Sequence, residues 1–130
     1  MNLLLDTHIF LWYVSADKRL PERARTAIQD RHNSVFLSVV SIWETIVKYQ
    51  LGRLPLPEPP STYLLTQRMR HQIECMALDE ESVGRLSLLS NYHRDPFDRM
   101  LICQAQQHDL TVMTVEVAFK NYPVMLFDFR

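Results

Sequence analysis

The sequence predicts an α/β fold with a mainly parallel central sheet covered by helices on both faces. Two observations carry this. Short, nearly unbroken apolar runs recur at about 2–6, 34–37, 73–78, 110–114 and 123–128, the pattern of strands buried on both faces. Segments with helical spacing separate them, and strands alternating with helices are the signature of a parallel sheet.

The opening run Asn2-Leu3-Leu4-Leu5 is broken by the charge of Asp6. Residues 8–16 read as a short helix. Segment 21–31 opens with Pro21, which suits a first helical position, and carries Ala24, Ala27 and Ile28 at helical spacing. Val35-Phe36-Leu37 is the second strand. Segment 39–51 sets Val39, Trp43, Ile46, Val47 and Leu51 on one side and stops at Gly52, a natural C-terminal residue for a helix. From Leu54 to Pro60, four prolines remove backbone donors and exclude both helix and central strand. This stretch is a stiff connector to a helix around 61–71. Neither of its flanks would fold alone, so residues 1–130 are expected to form a single domain. Helices near 79–89 and 96–108 follow, and a short helical turn near 116–121 precedes the last strand.

Composition narrows the function. With 47% apolar and 22% charged residues and a net charge of −1, the chain is an ordinary globular protein without a broad basic platform. Any nucleic-acid contact therefore rests on a local patch or on metal. Only two glycines are present, so no Gly-rich phosphate loop can be built. Cys75 and Cys103 lie in apolar segments without metal-binding spacing and are expected to be buried free thiols. No signal-peptide pattern and no membrane-length apolar run is found, which places the protein in the cytoplasm with no membrane partner.

Four acids stand where strands end or helices begin: Asp6, Glu44, Asp98 and Glu116. In an open α/β sheet, the loops after the strands' carboxyl ends gather on one edge. Carboxylates sharing such an edge repel one another and call for a cation, and an oxygen-only donor set favours Mg²⁺ or Mn²⁺. Each acid also has a plainer role. Asp6 and Asp95 suit helix N-caps, and Ser41-Ile42-Trp43-Glu44 reads as a capping box. Lys48, four residues beyond Glu44, offers a helical ion pair, and Glu116 suits a solvated helix start. Lys48, Arg94 and Arg99 flank the acids as candidates for holding an anionic substrate. His93 is placed either to touch a phosphate or to have no role. The five histidines show no zinc-binding spacing.

Leu4-Leu5-Asp6-Thr7-His8, Ser41-Ile42-Trp43-Glu44, His93-Arg94-Asp95-Pro96-Phe97-Asp98-Arg99 and Leu110-Thr111-Val112-Met113-Thr114 resemble, in order, the successive motifs of PIN-domain ribonucleases. The likeness is strongest to the VapC-type toxins of toxin–antitoxin pairs. It implies a three-layer α/β/α sandwich and an acidic pocket for Mg²⁺ or Mn²⁺, with Asp6, Glu44 and Asp98 as metal-binding carboxylates. At position 116 the family commonly has Asp. Glu116 is one methylene longer, which leaves direct ligation, ligation through water, or none. The resemblance further implies endonucleolytic hydrolysis of RNA, a cognate antitoxin protein and a homodimer. Leu11, Trp12, Tyr13, Trp43, Tyr63, Leu64 and Leu65 are a generous apolar supply for such contacts, unless most of them are core. The competing reading is a PIN-like module that binds RNA or protein and has lost its chemistry. A phospho-acceptor receiver domain is disfavoured, because Asp6 is followed by Thr7 and His8 rather than by a second acid.

Overall fold

The computed structural model describes residues 1–130. Its strands are β1 (Asn2–Leu5), β2 (Ser34–Ser38), β3 (Glu74–Met76), β4 (Thr111–Met113) and β5 (Met125–Leu126). All pair in parallel, in the order β3-β2-β1-β4-β5. Leu4 faces Phe36 on one side and Val112 on the other, so β1 is the centre of the sheet. The helices are α1 (Thr7–Val14), α2 (Glu22–Gln29), α3 (Val39–Gln50), α4 (Pro60–Arg70), α5 (Glu80–Gly84) and α6 (Pro96–His108). Short 3-10 turns lie at Arg85–Leu88 and Val117–Asn121.

The two-residue alternation of a strand makes three layers out of this. Leu3 and Leu5 of β1 join a core with Ile9 and Phe10 of α1, Ala24 and Ile28 of α2, and Tyr63 and Leu64 of α4. Leu4 points to the opposite face, into a core with Val40 of α3, Leu101 and Ile102 of α6, and Phe119. The expected α/β/α sandwich is therefore present. The chain builds outward from β1 through β2 to β3, then crosses to the other side of β1 for β4 and β5. The order reverses beside β1, where a crevice opens at the strands' carboxyl ends.

Several local expectations change. Helix α3 starts earlier than the capping box required: Ser38 is the N-cap and its Oγ accepts from Val40 N at 3.0 Å. Ser41 thus lies inside the first turn, and no Ser41–Glu44 box forms. Segment 79–89 is split into α5 and a 3-10 turn, in keeping with its weak helix formers Ser82, Gly84 and Ser87. Strand β3 is an edge strand, so Cys75 is an exposed thiol rather than a buried one, whereas Cys103 is buried. Of the apolar supply, Leu11, Tyr13, Tyr63 and Leu64 are core, while Trp43 (57%) and Leu65 (51%) are exposed. No helix is long and apolar enough to cross a membrane.

Gly52 follows the last turn of α3 with φ +71°, a conformation in which a side chain is strained. Nothing stands within 4 Å of where a Cβ would lie, so backbone strain alone is at stake. Gly52→Ala is expected to destabilise the fold by about 1 kcal/mol, readable as a lower urea midpoint with an unchanged slope.

Candidate metal centre

Three elements meet at the crevice. Asp6 ends β1 and caps α1: its Oδ1 accepts from Thr7 N at 2.7 Å. Its Oδ2 accepts from Thr114 Oγ1 at 2.7 Å, a bond that ties β1 to the end of β4. The Thr7 side chain turns toward α3 and donates to Glu44 Oε1 at 2.6 Å. Glu44 Oε2 is paired with Lys48 Nζ one turn further along α3, as its four-residue spacing predicts. Across the crevice Asp95 caps α6, its Oδ1 accepting from Phe97 N at 2.8 Å and from Asp98 N at 3.1 Å. Pro96 is the first helical residue. The Asp98 carboxylate does not turn back toward the cap; its Oδ2 lies 2.8 Å from His93 Nε2.

Asp6, Glu44 and Asp98 are all buried, although carboxylates are seldom found there unpaired. Burial is the main force raising the Asp6 pKa, and Glu44 adds to it against the hydrogen bonds from Thr114 and Thr7. The Asp98 carboxyl is pushed up to about 7, first by burial and then by the negative charge of Asp6; the His93 bond opposes the rise, and Asp95 and Glu44 add smaller repulsions to it. Burial pulls the Lys48 ammonium down, but its bond to Glu44 and the charges of Glu44, Asp95 and Asp98 hold it above its usual value. Lys48 alone leaves a surplus of negative charge. A buried surplus carried on oxygen donors fits a hard divalent cation, which removes the repulsion when it binds. His93, Asp95 and Asp98 each offer a ligand atom within 4.8 Å of the others, so that side of the crevice also gathers donors.

The remaining candidates lie farther out. Glu116 is exposed, and its backbone N donates to Thr114 Oγ1 at 3.0 Å while its side chain makes no hydrogen bond. It is not among the charges that shift Asp6 or Asp98. Arg94 is exposed and free of ion pairs. Arg99 has a different occupation: Nη1 donates to the carbonyls of Ser90 (2.8 Å) and His93 (3.3 Å), and Nη2 donates to that of Leu89 (3.4 Å). The sequence offered no sign of this, because those carbonyls belong to a loop whose path is set by tertiary packing. The His93–Asp98 contact was missed for the same reason, although the five-residue spacing into a capped helix was visible.

Comparison with known proteins agrees with the geometry. The family model of the PIN domain matches residues 3–124. Ribonuclease VapC16 of Mycobacterium tuberculosis (strain ATCC 25618 / H37Rv) is 48% identical over 46 residues, which is 35% of this chain and 32% of that protein. The matched segment thus spans about a third of that relative's length. Among solved structures, VapBC2 from Rickettsia felis bound to a promoter DNA fragment superposes with a TM-score of 0.73 at 15% identity, covering 98% of both chains. The DNA-bound VapBC of Salmonella typhimurium gives 0.69 at 16% identity, over 100% of this chain and 99% of that one. FitAcB from Neisseria gonorrhoeae gives 0.64 at 19% identity, over 98% and 97%. At these identities the structures speak for the fold, and the family model, which spans nearly the whole sequence, carries the assignment. The chain belongs to the PIN domain family.

Proposed function

We propose that this protein is a metal-dependent endoribonuclease, the toxin of a toxin–antitoxin pair, with Mg²⁺ or Mn²⁺ as its cofactor. The observation that carries the reading is the convergence of buried Asp6, Glu44 and Asp98 on one sheet edge, with the acidities of Asp6 and Asp98 suppressed by burial and by the neighbouring carboxylates. The named relative is a ribonuclease, and the solved structures of like fold are toxin–antitoxin or FitAB-type complexes, which supports RNA as substrate and an antitoxin as partner. A homodimer is part of the same proposal.

Asp6, Glu44 and Asp98 would hold the cation, with Glu116 at the rim. A bound divalent ion supplies Lewis acidity toward a phosphodiester and lowers the pKa of water. The protein's own groups prepare that site. Thr114 and Thr7 fix the rotamers of Asp6 and Glu44, so no side-chain reorganisation is needed when the ion arrives. Lys48 holds the second oxygen of Glu44 and keeps a cation beside the cluster. Exposed Arg94 is free to meet an RNA phosphate. With Arg99 bound to its loop, Lys48 and Arg94 remain as the substrate-facing cations.

Cleavage of RNA by the purified chain, measured across Mg²⁺ and Mn²⁺ concentrations with a chelator control, tests the reading. Binding of RNA without cleavage at any metal concentration would favour the non-catalytic module instead. In the same assay Glu116→Gln is expected to shift the curve to higher metal concentration by a small factor while leaving the maximal rate. An unshifted curve would exclude Glu116 from the centre and leave three acids.

A further inference from the structure

Beside the Asp98 carboxylate stands a partly buried histidine that holds neither the cation nor the substrate. His93 Nε2 is 2.8 Å from Asp98 Oδ2; toward the ionised carboxylate, the form that binds a cation and has only acceptors, the ring nitrogen is the donor. The imidazole is three-quarters buried and stands on a loop, a poor platform for fixing a side chain unless the loop is itself held. Here it is held from both sides of the backbone. The His93 N–H donates to Tyr122 Oη at 2.9 Å, and the His93 carbonyl accepts from Arg99 Nη1 at 3.3 Å. Tyr122 Oη in turn donates to Ser90 O at 2.9 Å and accepts from Arg99 Nη1 at 3.3 Å. Arg99 also reaches Ser90 O and Leu89 O. Tyr122 is buried, anchored in the α6 core and stacked edge-on against Tyr92 at 5.5 Å.

We propose that His93 is a positioning residue for Asp98, and that Arg99 and Tyr122 form the frame that keeps it there. The inference rests on the metal-centre reading of the same site. Its physical content is that Asp98, repelled by Asp6, Asp95 and Glu44, would otherwise rotate toward solvent. The His93 bond keeps one oxygen occupied and leaves the other free for the cation. Arg99 lies one residue beyond Asp98 on α6, so the element that carries the carboxylate also clamps the loop that orients it.

The test uses the full chain with Mn²⁺ as probe, its binding followed by calorimetry and by pulsed electron paramagnetic resonance. His93→Ala is expected to weaken Mn²⁺ binding by about tenfold or more, the usual effect of losing a group that orients a ligand. His93→Gln, which can return a donor to the place of Nε2, should stay close to wild-type affinity. Tyr122→Phe, which removes one hydroxyl and little else, should weaken binding in the same direction as His93→Ala. The double variant should bind no more weakly than His93→Ala alone, because both changes act through one carboxylate. Unchanged Mn²⁺ affinity with a lower melting temperature would overturn the proposal and make the pair merely structural. Nitrogen coupling in the Mn²⁺ spectrum would also overturn it, since His93 would then be a ligand. Additive losses in the double variant would remove the frame. These readouts do not depend on RNA: a protein that binds Mn²⁺ but leaves RNA intact would fail the ribonuclease reading while still answering this question.

Discussion

Asp98→Asn is expected to abolish RNA cleavage at every metal concentration and, in metal-free protein at pH 7, to raise the melting temperature. The two effects share a cause. Asp98 is buried among three other carboxylates, and its pKa is pushed up from 3.8 to about 7. Between those values the folded chain keeps a proton that the unfolded chain has lost, so stability falls as pH rises through the window. Below about pH 4 both states are protonated and this group is neutral; above pH 7 its penalty is complete. Allowing for relaxation of a coupled site, the cost is roughly 2–4 kcal/mol. The amide keeps the shape and an acceptor for His93 but carries no charge, so it escapes the penalty and forfeits the cation. Melting curves at pH 5 and pH 7.5, with and without Mn²⁺, separate the cases. Wild type should lose stability on going to pH 7.5 without metal and regain it with Mn²⁺, by about 1.4 kcal/mol per tenfold excess over Kd. The variant should respond to pH less than wild type, keeping only the penalty of buried Asp6, and should not respond to Mn²⁺. An active variant, or one that melts lower than wild type at pH 7.5, would contradict the assignment.

Production of the intact chain alone should arrest growth of its host, and Asp6→Asn should not. The structural reason is that Asp6, Glu44, Asp98 and the groups that orient them all come from one chain. Restraint of such a centre is the work proposed for the antitoxin. Asp6 is the more demanding position for this comparison, because both of its oxygens are engaged, one by Thr7 N and one by Thr114 Oγ1. An amide there places an N–H against a donor or leaves one partner unsatisfied, at a cost of about 1–3 kcal/mol in addition to the lost charge. Colony counts after induction, with soluble protein checked for both forms, decide the matter. Harmless accumulation of soluble wild type would count against the toxin role. Rescue by a co-produced antitoxin completes the expectation.

By itself, the sequence determined the layers and the sheet edge that carries the candidate acids. The unbroken run Leu3-Leu4-Leu5 dictates a strand with both faces buried, and local patterning placed all five strands and the helix at 96–108. These are short-range properties: alternation, proline positions and caps act within a few residues. Asp6 and Asp98 were legible because a strand end and an Asp-Pro helix start mark their positions on the backbone, and Lys48–Glu44 because helical spacing sets the pair. Which hydroxyl faces which carboxylate was decided only by the tertiary structure. Thr114 reaches Asp6 across 108 residues and Thr7 reaches Glu44 across 37. His93, Arg99 and Tyr122 meet around a loop with no periodic pattern. Side-chain direction there depends on the angle at which α6 and α3 pack on the sheet, and no residue-by-residue preference encodes that angle. Arg99 makes the point most plainly: its charge beside an acid suggested a substrate contact, while its actual partners are backbone carbonyls that only the folded chain brings within reach.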